Sequence, residues 1–213
     1  MDWGILVTYR EALLSGLRMT VGISAGTIVV ALLLGVLVGC CRAMPNYYLV
    51  RVCELYADVL RNIPAVVKIF IAYFVFRLDP VGAGIVALSL HQSSYISDVI
   101  AAGIRSIPAG QMEAALSSGL STRQAYSRVL LPQACRVTIP PMTTQFIQIV
   151  KNSSTVMLIA VEELTFMTRK IEHETFRGIE AAVAVTVIYL GLTLVIALAM
   201  GLIQHRIDRR LAK

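Results

Sequence analysis

Residues 19–41 and 181–203 are two runs of 23 residues without one charged side chain. Wound as an α-helix, each is roughly 34 Å long, enough to cross a hydrocarbon core of about 30 Å. In a chain of 213 residues that is 57% hydrophobic and only 15% charged, the solvent for much of the surface must be lipid. Three further stretches are apolar but carry ionisable groups: 49–76 with Arg61 and Lys68, 81–104 with His91 and Asp98, and 133–161 with Arg136 and Lys151. The expectation is an all-α integral membrane protein, a single domain over 1–213, with five transmembrane helices over about 19–41, 49–76, 81–104, 133–161 and 181–203. Residues 3–18, with Trp3 and Tyr9, read as an interfacial helix ahead of the first span; the bland alternative is a frayed polar lead. Met1-Asp2-Trp3 has no basic n-region and reads as a mature end rather than a signal peptide.

The formal charge of +6 admits two classes of partner, nucleic acid or membrane. Low aromatic content, with basic residues scattered between apolar runs, favours the membrane and no nucleic acid. Charge bias also orients the spans. Arg42 and Arg51 fall in the first connection, Arg105, Arg123 and Arg128 in the third, and Arg206, Arg209, Arg210 and Lys213 at the C-terminus. The opposite side mixes its basic residues with Glu162, Glu163, Glu172, Glu174 and Glu180. The positive-inside rule then places the N-terminus outside and the C-terminus in the cytoplasm. Cys40, Cys41, Cys53 and Cys135 lie in or beside apolar segments without CxxC spacing, and read as small buried hydrophobes rather than a metal or disulfide site.

Ionisable residues at membrane depth are costly and need a reason. Arg61-Asn62-Ile63-Pro64 interrupts the second span, because proline removes a backbone donor. Arg61 is a candidate for the substrate path; equally, Glu54, Asp58 and Arg61 share a helix face and could simply pair. Lys68, beyond the break, is a candidate for meeting an anionic group. His91, Gln92, Ser93, Ser94, Tyr95 and Asp98 form a polar stripe that should face the bundle or a neighbouring subunit, with Asp98 a further candidate for the substrate path. In the fourth span Lys151-Asn152-Ser153-Ser154-Thr155 covers every face of a helix, while Pro140-Pro141 should loosen the turn before it. A single hydroxyl commonly bonds back to its own helix. Five polar residues in succession nevertheless require a wet or irregular segment, hence a site or a gate.

None of the four lysines, Lys68, Lys151, Lys170 and Lys213, is followed by Ser or Thr, and there is no GxxxxGK[ST], HExxH or GxSxG. The chain therefore carries no phosphate-cradling loop and no catalytic or metal set of its own. What it does carry, between the third and fourth spans, is a polar helix-turn-helix over 108–132. Pro108 suits a first helical turn, Ala114 and Ala115 propagate it, and Gly119 suits a left-handed end. Ser121 can cap a second short helix, stopped by Pro132. A loop helix that only tidies a connection is the plain alternative for such an Ala-rich segment.

Glu113-Ala114-Ala115, three residues, Gly119, nine residues, then Val129-Leu130-Leu131-Pro132 resembles the signature loop of the transmembrane subunits of bacterial ABC importers, with Val129 where Ile is usual. Other segments are similar to the polar amino-acid branch of that family: Gly16 through Thr20, Tyr56 through Pro64 to Tyr73-Phe74, Ile104 through Gln111, Leu131 through Ala134, and Lys151 through Ser154. The resemblance implies the type I ABC importer permease fold, with a second permease subunit (identical or paralogous), a cytoplasmic ATPase dimer that binds ATP and Mg, and an extracytoplasmic amino-acid-binding protein as partners. It implies that Glu113, Ala114, Ala115, Gly119, Leu131 and Pro132 couple transport to the ATPase, and that this chain is not an enzyme and binds no cofactor. The expected location is a bacterial cytoplasmic (inner) membrane.

Two positions depart from the family's common pattern. A frequent Lys-Asp-Thr-Ser reads Lys151-Asn152-Ser153-Ser154 here, and Asp98 stands near a position where Glu is frequent. Asn152 removes a negative charge, and with Lys68 or Lys151 nearby the field suits an acidic amino acid, so glutamate or aspartate is the expected substrate. Glutamine, basic amino acids and opines are the alternatives within the family. Outside it, an ion-coupled secondary carrier would account for buried charges but needs no such loop, and no inverted repeat is evident. A structural scaffold leaves 151–155 unexplained, and a membrane enzyme lacks a catalytic set.

Overall fold

The computed structural model describes residues 4–211, which form ten α-helices and, among the described residues, no strand. Trp3 of the expected interfacial helix, Met1, Asp2 and Lys213 lie outside the described residues. The helices are α1 (Gly4–Thr8), α2 (Arg10–Arg42), α3 (Tyr47–Asn62), α4 (Ala65–Phe70), α5 (Pro80–Arg105), α6 (Ala109–Ser117), α7 (Thr122–Ala125), α8 (Leu131–Ser153), α9 (Leu164–Thr175) and α10 (Gly178–Leu211). Two of them, α2 and α10, are long and apolar enough to cross a membrane by length and composition.

The interfacial lead and the first apolar run are not separate helices. The chain bends at Tyr9 and is then helical without a break for 33 residues. Nothing between Arg10 and Met19 ends a helix, and Gly16 packs rather than caps: a Cβ there would lie 2.9 Å from Met167 Cγ and 3.2 Å from the Glu163 backbone.

The centre of the bundle is the pairing of α2 with α5, made possible by small residues. A Cβ on Gly35 would run into Ile96, and one on Gly39 would lie 2.6 Å from Ile100 Cβ and 2.8 Å from the Ser97 carbonyl. Ala31, Ser24 and Thr27 on α2 and Ser89, Ser93 and Ser97 on α5 are buried along the two helices. Helices approach this closely only where side chains are almost absent, and dispersion contacts then replace the hydrophobic drive that lipid does not supply. Gly103 extends the same device to α8, where a Cβ would overlap Thr138.

The expected interruption of the second span is present. α3, opened by Asn46 accepting from the Leu49 N–H at 3.1 Å, ends at extended Ile63 and Pro64. α4 restarts at Ala65 and widens into a π turn over Ile71–Val75. Asp79 caps α5, accepting from Gly82 N–H at 2.9 Å, with Pro80 in the first turn. Pro140 and Pro141 lie inside α8, which stays helical through both. The irregularity comes later, where Ser154–Ile159 tightens to a 3-10 helix ending at left-handed Ala160.

One expectation is corrected here. Pro132 does not stop the second loop helix. α7 passes through a π turn, Tyr126–Leu130, directly into α8, and Pro132 occupies the first turn of α8. Leu131 N–H closes the π turn on the Tyr126 carbonyl, and a proline in the first turn of the next helix leaves little unmade, so the winding continues where a stop was expected.

Candidate functional site

Against this apolar frame, polar side chains gather in three places. The first is a cavity of about 330 Å³ between α5 and α8, lined by His91, Gln92, Tyr95, Thr144, Gln145, Gln148 and Asn152. Gln92 Nε2 donates to Gln145 Oε1 at 2.5 Å and ties the two helices across it. The lining offers amides, a phenol, a hydroxyl and an imidazole, a set that donates and accepts hydrogen bonds without a fixed charge. Of these residues Asn152 was among those singled out by sequence, and His91, Gln92 and Tyr95 belonged to the expected polar stripe. Thr144, Gln145 and Gln148 were missed, although with Asn152 they recur at helical spacing on one face of α8.

The second place is the helix break. The Lys68 ammonium donates to the carbonyls of Leu60 and Ile63, the latter at 2.8 Å, and lies 3.0 Å from His91 Nδ1. Pro64 and the chain's turn leave those carbonyls without helical donors, and Lys68 reaches back to supply them. Lys68 is buried, at 7% exposure, with its three hydrogens directed at these three acceptors.

The third is an ion-pair cluster joining α2, α3 and α5. Arg42 donates to Asp98 and, at 2.9 Å, to Ser97 Oγ; Arg61 donates to the other Asp98 oxygen and to Asp58 at 2.6 Å. Arg61 and Asp98, considered separately as path residues, are thus bonded to each other. Glu54 pairs with Arg51 at 3.4 Å instead of joining the cluster. Arg42 was not among the candidate residues; its place in a connection hid the fact that α2 ends beside Asp98.

The hydroxyls of 151–155 turn inward on their own helix. Ser153 donates to the Val150 carbonyl, Ser154 to that of Lys151 and Thr155 to that of Asn152, at 2.8, 2.8 and 2.6 Å. That leaves Asn152 to line the cavity, while Lys151, its neighbour in the chain, is exposed and has no ion pair among the described residues. At the far end of this segment, Glu163 is fully buried and caps α9. Its carboxylate accepts from Thr165 and Phe166 N–H, both at 2.9 Å, and from Tyr189 Oη at 2.6 Å. Burial pushes this carboxyl above the ordinary range despite those donors.

The loop between α5 and α8 stands outside the bundle. Glu113, Ala114 and Gly119 are exposed, Ala115 is buried against the chain, and Gly119 has φ +83°, the left-handed turn expected of it. Ser121 and Gln124 form a reciprocal capping box that opens α7. Leu131 is exposed at the start of α8. Tyr126, Leu130 and Leu131 also line an apolar cavity of about 350 Å³ with Cys40, Met44 and Ile104, so the loop rests on the ends of α2 and α5.

Residues 31–213 match the family model described as the inner membrane component of binding-protein-dependent transport systems. The chain is 30% identical to the glutamate/aspartate import permease protein GltJ of Escherichia coli K12, over 97% of this chain and 94% of that one. It is 32% identical to the glutamine transport system permease protein GlnP of the same organism, over 99% and 97%. Among solved structures it resembles a chain of an amino acid ABC transporter crystallised with histidines, with TM-score 0.86 and 27% identity over 97% of this chain and 99% of that one.

Proposed function

This chain belongs to the family of inner membrane components of binding-protein-dependent transport systems, and on that premise we propose that it forms the translocation path of an ATP-driven glutamate/aspartate importer. The single observation that carries the reading is the uncharged, hydrogen-bonding cavity of about 330 Å³ between α5 and α8. An amino acid that leaves water needs its polar groups satisfied throughout its passage, and this lining supplies donors and acceptors at modest desolvation cost.

The choice of an acidic substrate rests on Lys151. Arg61 and Asp98 neutralise one another, and the hydrogens of Lys68 are directed at protein acceptors. Lys151 is left as the exposed cation next to Asn152. Glutamine is the second reading, favoured by the amides of the cavity and by the likeness to glutamine permeases.

In the proposed arrangement five spans cross a bacterial inner membrane with the C-terminus in the cytoplasm. A second permease subunit completes the path, and an extracytoplasmic binding protein delivers the substrate. The loop 108–132 serves as the coupling helix, docking through the exposed Glu113, Ala114 and Gly119, with Ala115 packed behind them, into a cytoplasmic ATPase dimer that holds ATP and Mg. Closure of that dimer moves α6, and the π turn and Pro132 at the root of α8 pass the motion to the cavity as rigid-body rocking. The experiment is uptake of labelled glutamate into vesicles carrying the whole importer. Aspartate in excess should compete and arginine should not, and Lys151→Gln should weaken glutamate uptake several-fold while sparing glutamine. Competition by arginine but not aspartate would overturn the choice of substrate.

A further inference from the structure

His91 lines the cavity, and its Nδ1 lies 3.0 Å from the Lys68 ammonium. An ammonium has three hydrogens and no lone pair, so every group around it must accept. Two of its neighbours are the Leu60 and Ile63 carbonyls, stranded by the break before Pro64. The third is Nδ1. A nitrogen that accepts from an ammonium cannot carry its own hydrogen, so the neutral ring keeps its hydrogen on Nε2. The Leu60 carbonyl also lies near the imidazole, but a hydrogen on Nδ1 would meet the ammonium 3.0 Å away, a group that can only donate. Tyr95 packs edge-on against the ring, centroids 5.2 Å apart, and limits its rotation. Among the described residues no hydrogen-bond partner takes Nε2.

We propose that His91 is a specificity-determining hydrogen-bond donor of the cavity, presenting Nε2–H to a carboxylate or amide oxygen of the amino acid, and that Lys68 is the positioning residue that holds it in this tautomer. The helix break thereby acquires a consequence beyond the backbone. It creates the two carbonyls that hold Lys68, Lys68 orders His91, and His91 turns a donor toward the ligand 23 residues along the chain from the lysine. The inference rests on the reading that this cavity takes the transported amino acid.

Two amide substitutions separate the edges of the ring. A glutamine side chain carries its amide nitrogen to about the position of Nε2, whereas an asparagine oxygen reaches only that of Nδ1. In the assembled importer in lipid nanodiscs with its binding protein, H91Q should keep the apparent KM for uptake within about threefold of wild type. H91N should raise it about tenfold or more, the scale of one lost hydrogen bond to a charged group, while the melting midpoint stays near wild type. ¹⁵N spectra of the wild-type imidazole should show the Nε2–H tautomer, and K68M should redistribute it. The inference is overturned if H91N transports like wild type and H91Q melts early, the order expected of a residue that only accepts from Lys68. An Nδ1–H tautomer also overturns it. Q148W tests the underlying reading by filling the cavity. If Q148W transports normally, the cavity is off the path and both claims fall. If Q148W blocks uptake while H91Q and H91N are alike, the inference alone falls.

Discussion

Lys68 and Glu163 are both buried and ionisable, have no opposite charge beside them among the described residues, and are each held by backbone groups that a helix terminus leaves over. Lys68 serves carbonyls at the end of α3, and Glu163 serves N–H groups at the start of α9. Each charge thus sits at the pole of a helix whose partial charge opposes it. For Glu163, which follows the end of the expected fourth span, a pH dependence results. Its carboxyl is raised above the ordinary value of 4.5 chiefly by burial, so the folded chain holds this proton to higher pH than the unfolded chain. The stability it contributes is complete below that ordinary value, declines as pH rises through the raised one and is lost above it. In Glu163→Gln, whose amide oxygen still accepts from Phe166 or Thr165, the difference from wild type in melting midpoint should therefore depend on pH. It should be most favourable to the variant at neutral pH and shrink on acidification. Glu163→Leu should be destabilised at every pH, by about 1–3 kcal/mol for the stranded donors. Thermal unfolding in detergent across acid to neutral pH reads all three. Neither residue's role was legible in the sequence, because a charge beside an apolar run looks the same whether it meets a ligand, an ion or a carbonyl.

Among the elements, the α2–α5 pairing depends on what its side chains omit. Gly39 admits the Ser97 carbonyl and Ile100 at distances no Cβ tolerates, and neither neighbour is the loose end of a long side chain. Gly39→Leu should therefore separate the two helices, at a cost of at least about 1–3 kcal/mol, and Gly22→Leu, with open space at its Cβ position, should cost little. The check is the melting midpoint of each variant in detergent, alongside its level in the membrane. The same separation would disturb the Arg42–Asp98 pair one turn beyond Gly39. Sequence reading found the long apolar helices α2 and α10, but not α9, because uncharged length and proline punctuation are local signals. The break at Pro64 and the left-handed turn at Gly119 were legible for that reason. Pro132 was misread because a proline that ends one helix and one that begins the next look alike until the turn before it is seen to be π. The polar face Thr144, Gln145, Gln148, Asn152 carried the right period, yet the run of hydroxyls at 153–155 drew attention from it, and those hydroxyls satisfy themselves.

At the level of the molecule, an uncharged polar cavity lies between α5 and α8, while long stretches of the outer surface are apolar. Val187, Leu194, Leu198 and Leu202 of α10 are each more than half exposed, a surface suited to lipid or a second subunit. In the proposed importer the exposed polar loop meets the soluble ATPase, and the geometry of that loop turns on one residue. Gly119 meets nothing within 4 Å of where a Cβ would be, so a larger side chain there has room within this chain. Its cost inside the fold is only that of φ +83°, on the order of 1–2 kcal/mol for a residue with a Cβ. Gly119→Leu should therefore fold and reach the membrane at normal level, whereas a groove built to receive α6 would meet a displaced turn and a new bulky group. In the proposed importer, substrate uptake should then fall at least about tenfold while the ATPase continues to hydrolyse ATP without regard to the loaded binding protein. Gly119→Asn, which tolerates the left-handed conformation, should retain much of the coupling. Immunoblots of membranes, uptake and binding-protein-stimulated hydrolysis, measured side by side, distinguish the outcomes. Uptake by Gly119→Leu at the wild-type rate would show that the loop only connects α5 to α8. Loss of the protein from the membrane would place the importance of the turn within the fold rather than at the docking surface.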